Sequence, residues 1–305
     1  MQRVRKLLHI DVIRRKNLTG KGIGVGVLDS GVLPHEDFRE RIRVYKDFTG
    51  NGYQSTRDET GHGTHVCGII AGNGKCSGGD YCGIAPGSHL CVGKILNHRG
   101  EGDVVGMIRG MEWLLEIAKQ YNIKVINISV SSLFFSKEKE KERLFFLFRK
   151  AWETDILVVT AAGNAGPDGK TVSKLGDSPY VICVGCHEGV ESDKFEKRCQ
   201  DCSGRGPGEF VYRKPDIVAP GTEIVSCHGL KQYVKKSGTS MATPIVTGVL
   251  ALMCEANPKM HAMEMKRKLV YTADDLGENY LMQGFGMINP TNMLKDRWSD
   301  IAVQG

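Results

Sequence analysis

Apolar residues cluster in short runs at Ile23–Leu28, Leu90–Ile95, Lys124–Val130, Ile156–Thr160 and Val181–Val184. Each run is about strand length and nearly continuous, which is how a strand buried on both faces reads. Between them lie stretches with helical spacing, among them Asp103–Gln120 and Lys137–Glu153. A further helix is expected over Ser240–Glu255, where Val246, Val249, Leu250 and Met253 fall on one face. Strand and helix patterns in alternation predict an α/β fold: a mostly parallel sheet with helices on both faces. In such sheets, functional groups gather beyond the carboxyl ends of the strands.

With 305 residues, 41% of them hydrophobic and 25% charged, the chain has ordinary globular composition and enough length for a large core. No linker-like stretch or internal repeat divides it. The net charge of +6 is scattered, and the basic and acidic residues of Lys137–Arg143 alternate as on a solvated helix, so no nucleic-acid partner is expected. Met1–Lys16 is rich in basic residues but lacks the apolar stretch of a signal peptide, and no run suggests a membrane span. A cytoplasmic protein without a membrane partner is the expectation.

Ten cysteines bear on the same point. Cys67, Cys91, Cys183, Cys227 and Cys254 sit in apolar segments and read as small buried residues, so the thiols are expected to be mainly reduced and activity to survive reductant. Cys183-x-x-Cys186 and Cys199-x-x-Cys202 have ribbon-like spacing, yet Tyr180–Cys186 reads as a strand, where side chains three apart point to opposite faces. Zinc is therefore not expected there. Cys76 and Cys82, in a glycine-rich loop, are the better pair for oxidation or metal.

Chemistry enters with Ser237-Gly238-Thr239-Ser240-Met241-Ala242-Thr243-Pro244. A serine opening a helix is either an N-cap or a nucleophile whose reaction develops negative charge near the helix's positive end. A nucleophilic serine needs a base and a group that orients the base. Val25–Gly31 supplies an apolar run ending in Asp29 and a glycine turn; Gly61–Gly68 places His62 between two glycines before a helix of small residues. The alternating glycines of Gly22–Gly26 precede their strand rather than follow it, which discounts a dinucleotide site.

The Asp29, His62 and Ser240 blocks, in that order, resemble the motifs of the subtilisin-like serine peptidases, and the likeness runs from about Gly20 to Asn289. A fourth block, Val158–Asn164, agrees. The resemblance implies residues 20–305 as one catalytic domain behind an N-terminal extension, 1–19. It implies a serine endopeptidase hydrolysing unfolded or flexible polypeptides through an acyl-enzyme. Ser240 would be the nucleophile, His62 the base, Asp29 its orienting partner, and Asn164 with the Ser240 N–H the oxyanion hole. His65, one turn beyond His62, is expected to serve the fold. The alternative is a catalytically silent homologue that keeps the groove for peptide binding.

The resemblance also implies a substrate groove, with Gly100, Glu101 and Gly102 on one edge and Ser129, Val130 and Ser131 on the other. Relatives usually carry glycine where Ser131 and Ser132 stand, which narrows the pocket expected to take a sizeable apolar residue before the cleaved bond. Asp58 and Glu59 either favour a basic residue one position upstream or form a solvated acidic turn. The catalytic domain opens almost at once, without the long inhibitor domain of secreted relatives, which suits the intracellular branch. Since the loop Gly72–Cys82 lacks a strong calcium pattern, no cofactor is required; structural calcium stays open, as does oligomeric state.

Overall fold

The computed structural model describes residues 1–50, 55–130, 138–211 and 213–295. In chain order the main elements are α1 (Gln2–Leu7), α2 (Ile10–Arg14), β1 (Gly24–Asp29), β2 (Ile42–Asp47), α3 (His62–Ala71), β3 (His89–Lys94) and α4 (Val104–Ile117). There follow β4 (Ile123–Ile128), α5 (Glu138–Glu153), β5 (Leu157–Ala161), β6 (Ile182–Cys186), β7 (Ile217–Ala219), β8 (Ile224–His228), β9 (Gln232–Lys236), α6 (Thr239–Ala256) and α7 (Ala262–Tyr271). Strands β1 to β7 form one sheet in the order β2-β3-β1-β4-β5-β6-β7, every pairing parallel, and β8–β9 is a separate antiparallel hairpin.

The strands were legible as unbroken apolar runs because both faces are covered. On β1, Val25 and Val27 point into one core with α3 and α6, whereas Leu28 joins the opposite core with α4 and α5. Helix α5 presents Leu144, Leu147, Phe148 and Ala151, spaced as one helical face, and leaves its charged side to solvent. Helix α6 is apolar nearly all round because it packs on β4, β5, β6 and α3 together. At 18 residues with mean hydropathy 1.3 it is long and apolar enough to cross a membrane by composition alone, but 83% of it is buried inside the fold. Residues 1–19 carry α1 and α2, whose Val4, Ile10 and Ile13 are buried in the α3/α6 core, so this extension is part of the packed body.

Three elements had no apolar run to announce them. β2 is an edge strand with no fully buried residue, β7 has only three residues, and β9 is half-buried or exposed throughout and ends in two lysines. The cysteines divide differently from their spacing. Cys186, at the end of β6, is disulfide-bonded to Cys199, with Cα atoms 5.8 Å apart, while Cys183 is free and buried. The second member of the Cys183-x-x-Cys186 motif is thus paired with Cys199 rather than grouped with Cys183. Cys67, Cys91, Cys183 and Cys227 are buried and Cys254 half-buried.

Alkylation of the denatured chain without reductant is expected to modify eight cysteines, with Cys186 and Cys199 becoming reactive only after reduction, read by peptide mass spectrometry. Replacing both with serine should destabilise the fold by about 3 kcal/mol, the loop-closure value for a bridge of this span, in a denaturant titration.

Candidate active site

β1 and β4 are neighbours at the point where the strand order reverses, and the site lies beyond their carboxyl ends. Asp29 is the last residue of β1 and fully buried. Its Oδ1 accepts the Ser30 backbone N–H at 2.7 Å and faces His62 Nδ1 at 2.6 Å. A carboxylate oxygen can only accept here, so Nδ1 carries the proton and Nε2 is left with its lone pair. Burial by itself would lower the His62 pKa. The Asp29 charge and hydrogen bond outweigh it and hold the pKa above its ordinary value of 6.5.

His62 is the first residue of α3, and the turn before it is built around Asp58. That buried carboxylate accepts the Gly61 and Thr64 N–H groups at 2.9 and 2.7 Å and the hydroxyls of Thr64, Ser30 and Thr60 at 2.6, 2.7 and 3.2 Å. Burial pushes its pKa up, yet these donors prevail and hold it below the usual carboxylate value. Ser30 in turn accepts the Gly63 N–H at 2.9 Å, tying the turn after Asp29 to the start of α3. Gly63 has to be glycine because a Cβ there would run into the Gly31 carbonyl. Glu59 is held by Lys94 at 2.7 Å and Arg57 at 3.4 Å. Asp58 is thus a buried cap rather than part of a solvated turn, whereas Glu59 is exposed and carries its ion pairs at the surface. An aspartate with one threonine just ahead of a helix and another in its first turn was the available signal.

Ser240 is the second residue of α6 and half-buried; its hydroxyl donates to the Ser129 carbonyl at 2.9 Å, just past the end of β4. Gly238 precedes it with φ +141°, a conformation that disfavours a side chain, and its N–H donates to the Gly221 carbonyl at 3.0 Å. Asn164, exposed beyond the end of β5, accepts the Thr239 N–H at 3.0 Å and the Thr239 hydroxyl at 3.2 Å through Oδ1. A backbone N–H can only donate, which fixes the amide orientation and turns the Nδ2 donors away from Thr239. Thr239 was not singled out from sequence, though it orients this side chain. His65 is buried, with Nε2 beside the Ile224 and Val234 carbonyls at 3.0 Å each; desolvation pushes its pKa down to about 3. It belongs to the packing of α3 on the β8–β9 hairpin.

Of the expected groove, Gly100 has φ +76°, Glu101 is exposed, and Glu101 and Gly102 line a cavity of about 230 Å³ with Phe48, Thr49, Ile95, Asn97 and Asp103. Ser129 and Val130 are buried at the other edge. Ser131 and Ser132 lie outside the described residues.

The family model described as the subtilase family matches residues 20–287. The chain is 35% identical over 308 aligned positions to serine protease AprX of Bacillus subtilis (strain 168), covering 92% of this chain and 68% of that protein. It is 34% identical to subtilisin Savinase of Lederbergia lenta, covering 90% and 91%. Among solved structures, Sphericase superposes with a TM-score of 0.79 at 28% identity, over 92% of this chain and 96% of that one. With a matching model over most of its length and relatives of this identity, the chain belongs to the subtilase family of serine endopeptidases.

Proposed function

We propose that Asp29, His62 and Ser240 act as one catalytic unit in which the enzyme cleaves unfolded or flexible polypeptides through an acyl-enzyme. The observation that carries this reading is the 2.6 Å contact between His62 Nδ1 and buried Asp29, which leaves Nε2 as the base. The Ser240 hydroxyl exchanges its bond to the Ser129 carbonyl for one to Nε2 and attacks the scissile carbonyl as His62 takes its proton. Negative charge grows on the carbonyl oxygen at the N-terminus of α6, where the Ser240 N–H and Asn164 Nδ2 receive it. Collapse passes the proton from His62 to the leaving amine, and water then repeats the sequence on the ester. No step needs a metal or cofactor.

Gly100–Gly102 and Ser129–Ser131 are proposed to hold the substrate backbone as added strands, a mode that demands little of side-chain identity. The cytoplasmic location and the absence of a nucleic-acid or membrane partner remain part of the proposal; the scattered charge supports its nucleic-acid part. The silent peptide-binding alternative finds no support in a site whose imidazole is set with its proton toward Asp29.

Fluorophosphonate should label Ser240 in the intact protein, and Ser240→Ala should lose both the label and casein cleavage, with kcat down on the order of 10⁶. An unlabelled serine, or a variant as active as the parent, would overturn the assignment. Asn164→Ala should lower kcat by about 10²–10³ with little change in KM, because its amide meets charge present only in the transition state. A fall in KM-dependent terms alone would contradict that role.

The pH profile follows from the raised His62 pKa. The neutral imidazole is the active form, so kcat/KM should fall as pH drops through an apparent pKa above 6.5. Asp29→Asn removes the charge that raises it; what activity remains should be lower by about 10⁴, with its acid limb moved to lower pH. An acid limb unchanged by that substitution would separate the limb from His62.

A further inference from the structure

Asp37, eight residues past the end of β1, is fully buried with His35, and Cys227 of β8 closes over the same spot. One donor atom from each of the three lies within 4.8 Å of the other two. His35 Nδ1 is 3.9 Å from Asp37 Oδ1, and Cys227 Sγ is 3.6 Å from Asp37 Oδ2. Donors around a tetrahedral zinc, with bonds of about 2.0–2.3 Å, stand roughly 3.3–3.8 Å apart. The two contacts to the Asp37 carboxylate are thus within a few tenths of an ångström of such a spacing, and an ion would draw the three donors together.

The surroundings have the form that a metal-binding imidazole requires. His35 Nε2 is 3.0 Å from the Gln232 carbonyl, which can only accept; the proton sits there and Nδ1 keeps its lone pair, which accepts the Asp37 N–H at 3.1 Å and would exchange that bond for an ion. Metal-bound histidines commonly have their other nitrogen fixed in this way. The Asp37 carboxylate is oriented by the Tyr233 hydroxyl at 2.8 Å and by the N–H groups of Cys76 and Gly74 at 3.0 and 3.2 Å. The first of those N–H groups belongs to an exposed cysteine on the glycine-rich loop, which brings a second thiol to the rim of the buried trio.

We propose that His35, Asp37 and Cys227, completed by Cys76, form a structural binding site for zinc or a zinc-like divalent ion. One imidazole, one carboxylate and two thiols select such an ion. Calcium takes six to eight oxygens, and the groups nearest Asp37 here are N–H, hydroxyl and thiol. The bound ion fastens the Gly74–Cys82 loop to the β8–β9 hairpin, and Cys76, on the outside, is its route of entry. Among the described residues, no hydrogen bond of these four side chains runs to Asp29, His62, Asn164 or Ser240, so the site is independent of the proposed catalysis.

Cobalt(II) is the probe, added to metal-free Ser240→Ala protein so that self-digestion plays no part. One equivalent should bind with micromolar or tighter affinity, giving thiolate-to-cobalt absorption in the near ultraviolet and four-coordinate bands in the visible, displaced by zinc. Cys227→Ser should abolish the ultraviolet band and Cys76→Ser should reduce it by about half, with circular dichroism verifying the fold. In the unsubstituted Ser240→Ala chain, zinc should slow native alkylation of Cys76 at least tenfold, a readout that does not depend on any thiol variant folding. Absence of the band, its persistence in a folded Cys227→Ser protein, or alkylation of Cys76 unaffected by zinc overturns the proposal, as does protection by calcium alone.

Discussion

One buried carboxylate, Asp58, is the constraint on which the geometry of the site depends. A charge removed from water is tolerated only when donors replace the lost solvation, and Asp58 has five, drawn from the β1 turn, its own loop and the first turn of α3. Satisfying it obliges Ser30 and Thr64 to approach the same point. That requirement sets the end of β1 against the beginning of α3 and leaves Asp29 and His62 a single short separation. The second half of the site is fixed in the same manner. Thr239 occupies Asn164 Oδ1, which turns the amide's donors away from Thr239.

Reading the chain for hydrophobic period recovered the central strands and the long helices because burial on both sides imposes unbroken apolar runs. The same reading passed over β2 and β9, which have no fully buried residue, and over β8, whose buried positions include the polar Ser226, so none of them shows a strong apolar pattern. Asp29, His62 and Ser240 were legible since each stands at the end of a strand or the opening of a helix beside glycine. Asp58 and Glu59 were harder: their acidity is visible in the sequence, but whether a carboxylate faces solvent, substrate or buried hydroxyls depends on partners such as Ser30 and Lys94, distant along the chain. The Cys186–Cys199 bridge escaped for a related reason. Its geometry is set by how the short turn at Cys199 folds back on β6, and spacing alone suggested a different grouping.

The packing of α6 has a consequence for when the enzyme can work. Ser240 rides on a helix whose burial requires β4, β5, β6 and α3 to be in place, and its proposed partner Asp29 lies more than two hundred positions earlier in the chain. Contacts of such long range form late, after the loops they close have lost their freedom. A growing chain therefore lacks the proposed nucleophile until residue 240 is made, and a partly folded one holds it away from the proposed base and oxyanion donors. Proteolytic competence arrives together with completion of the sheet, so nascent copies are poor enzymes at the stage when their own unfolded segments would be the nearest substrates.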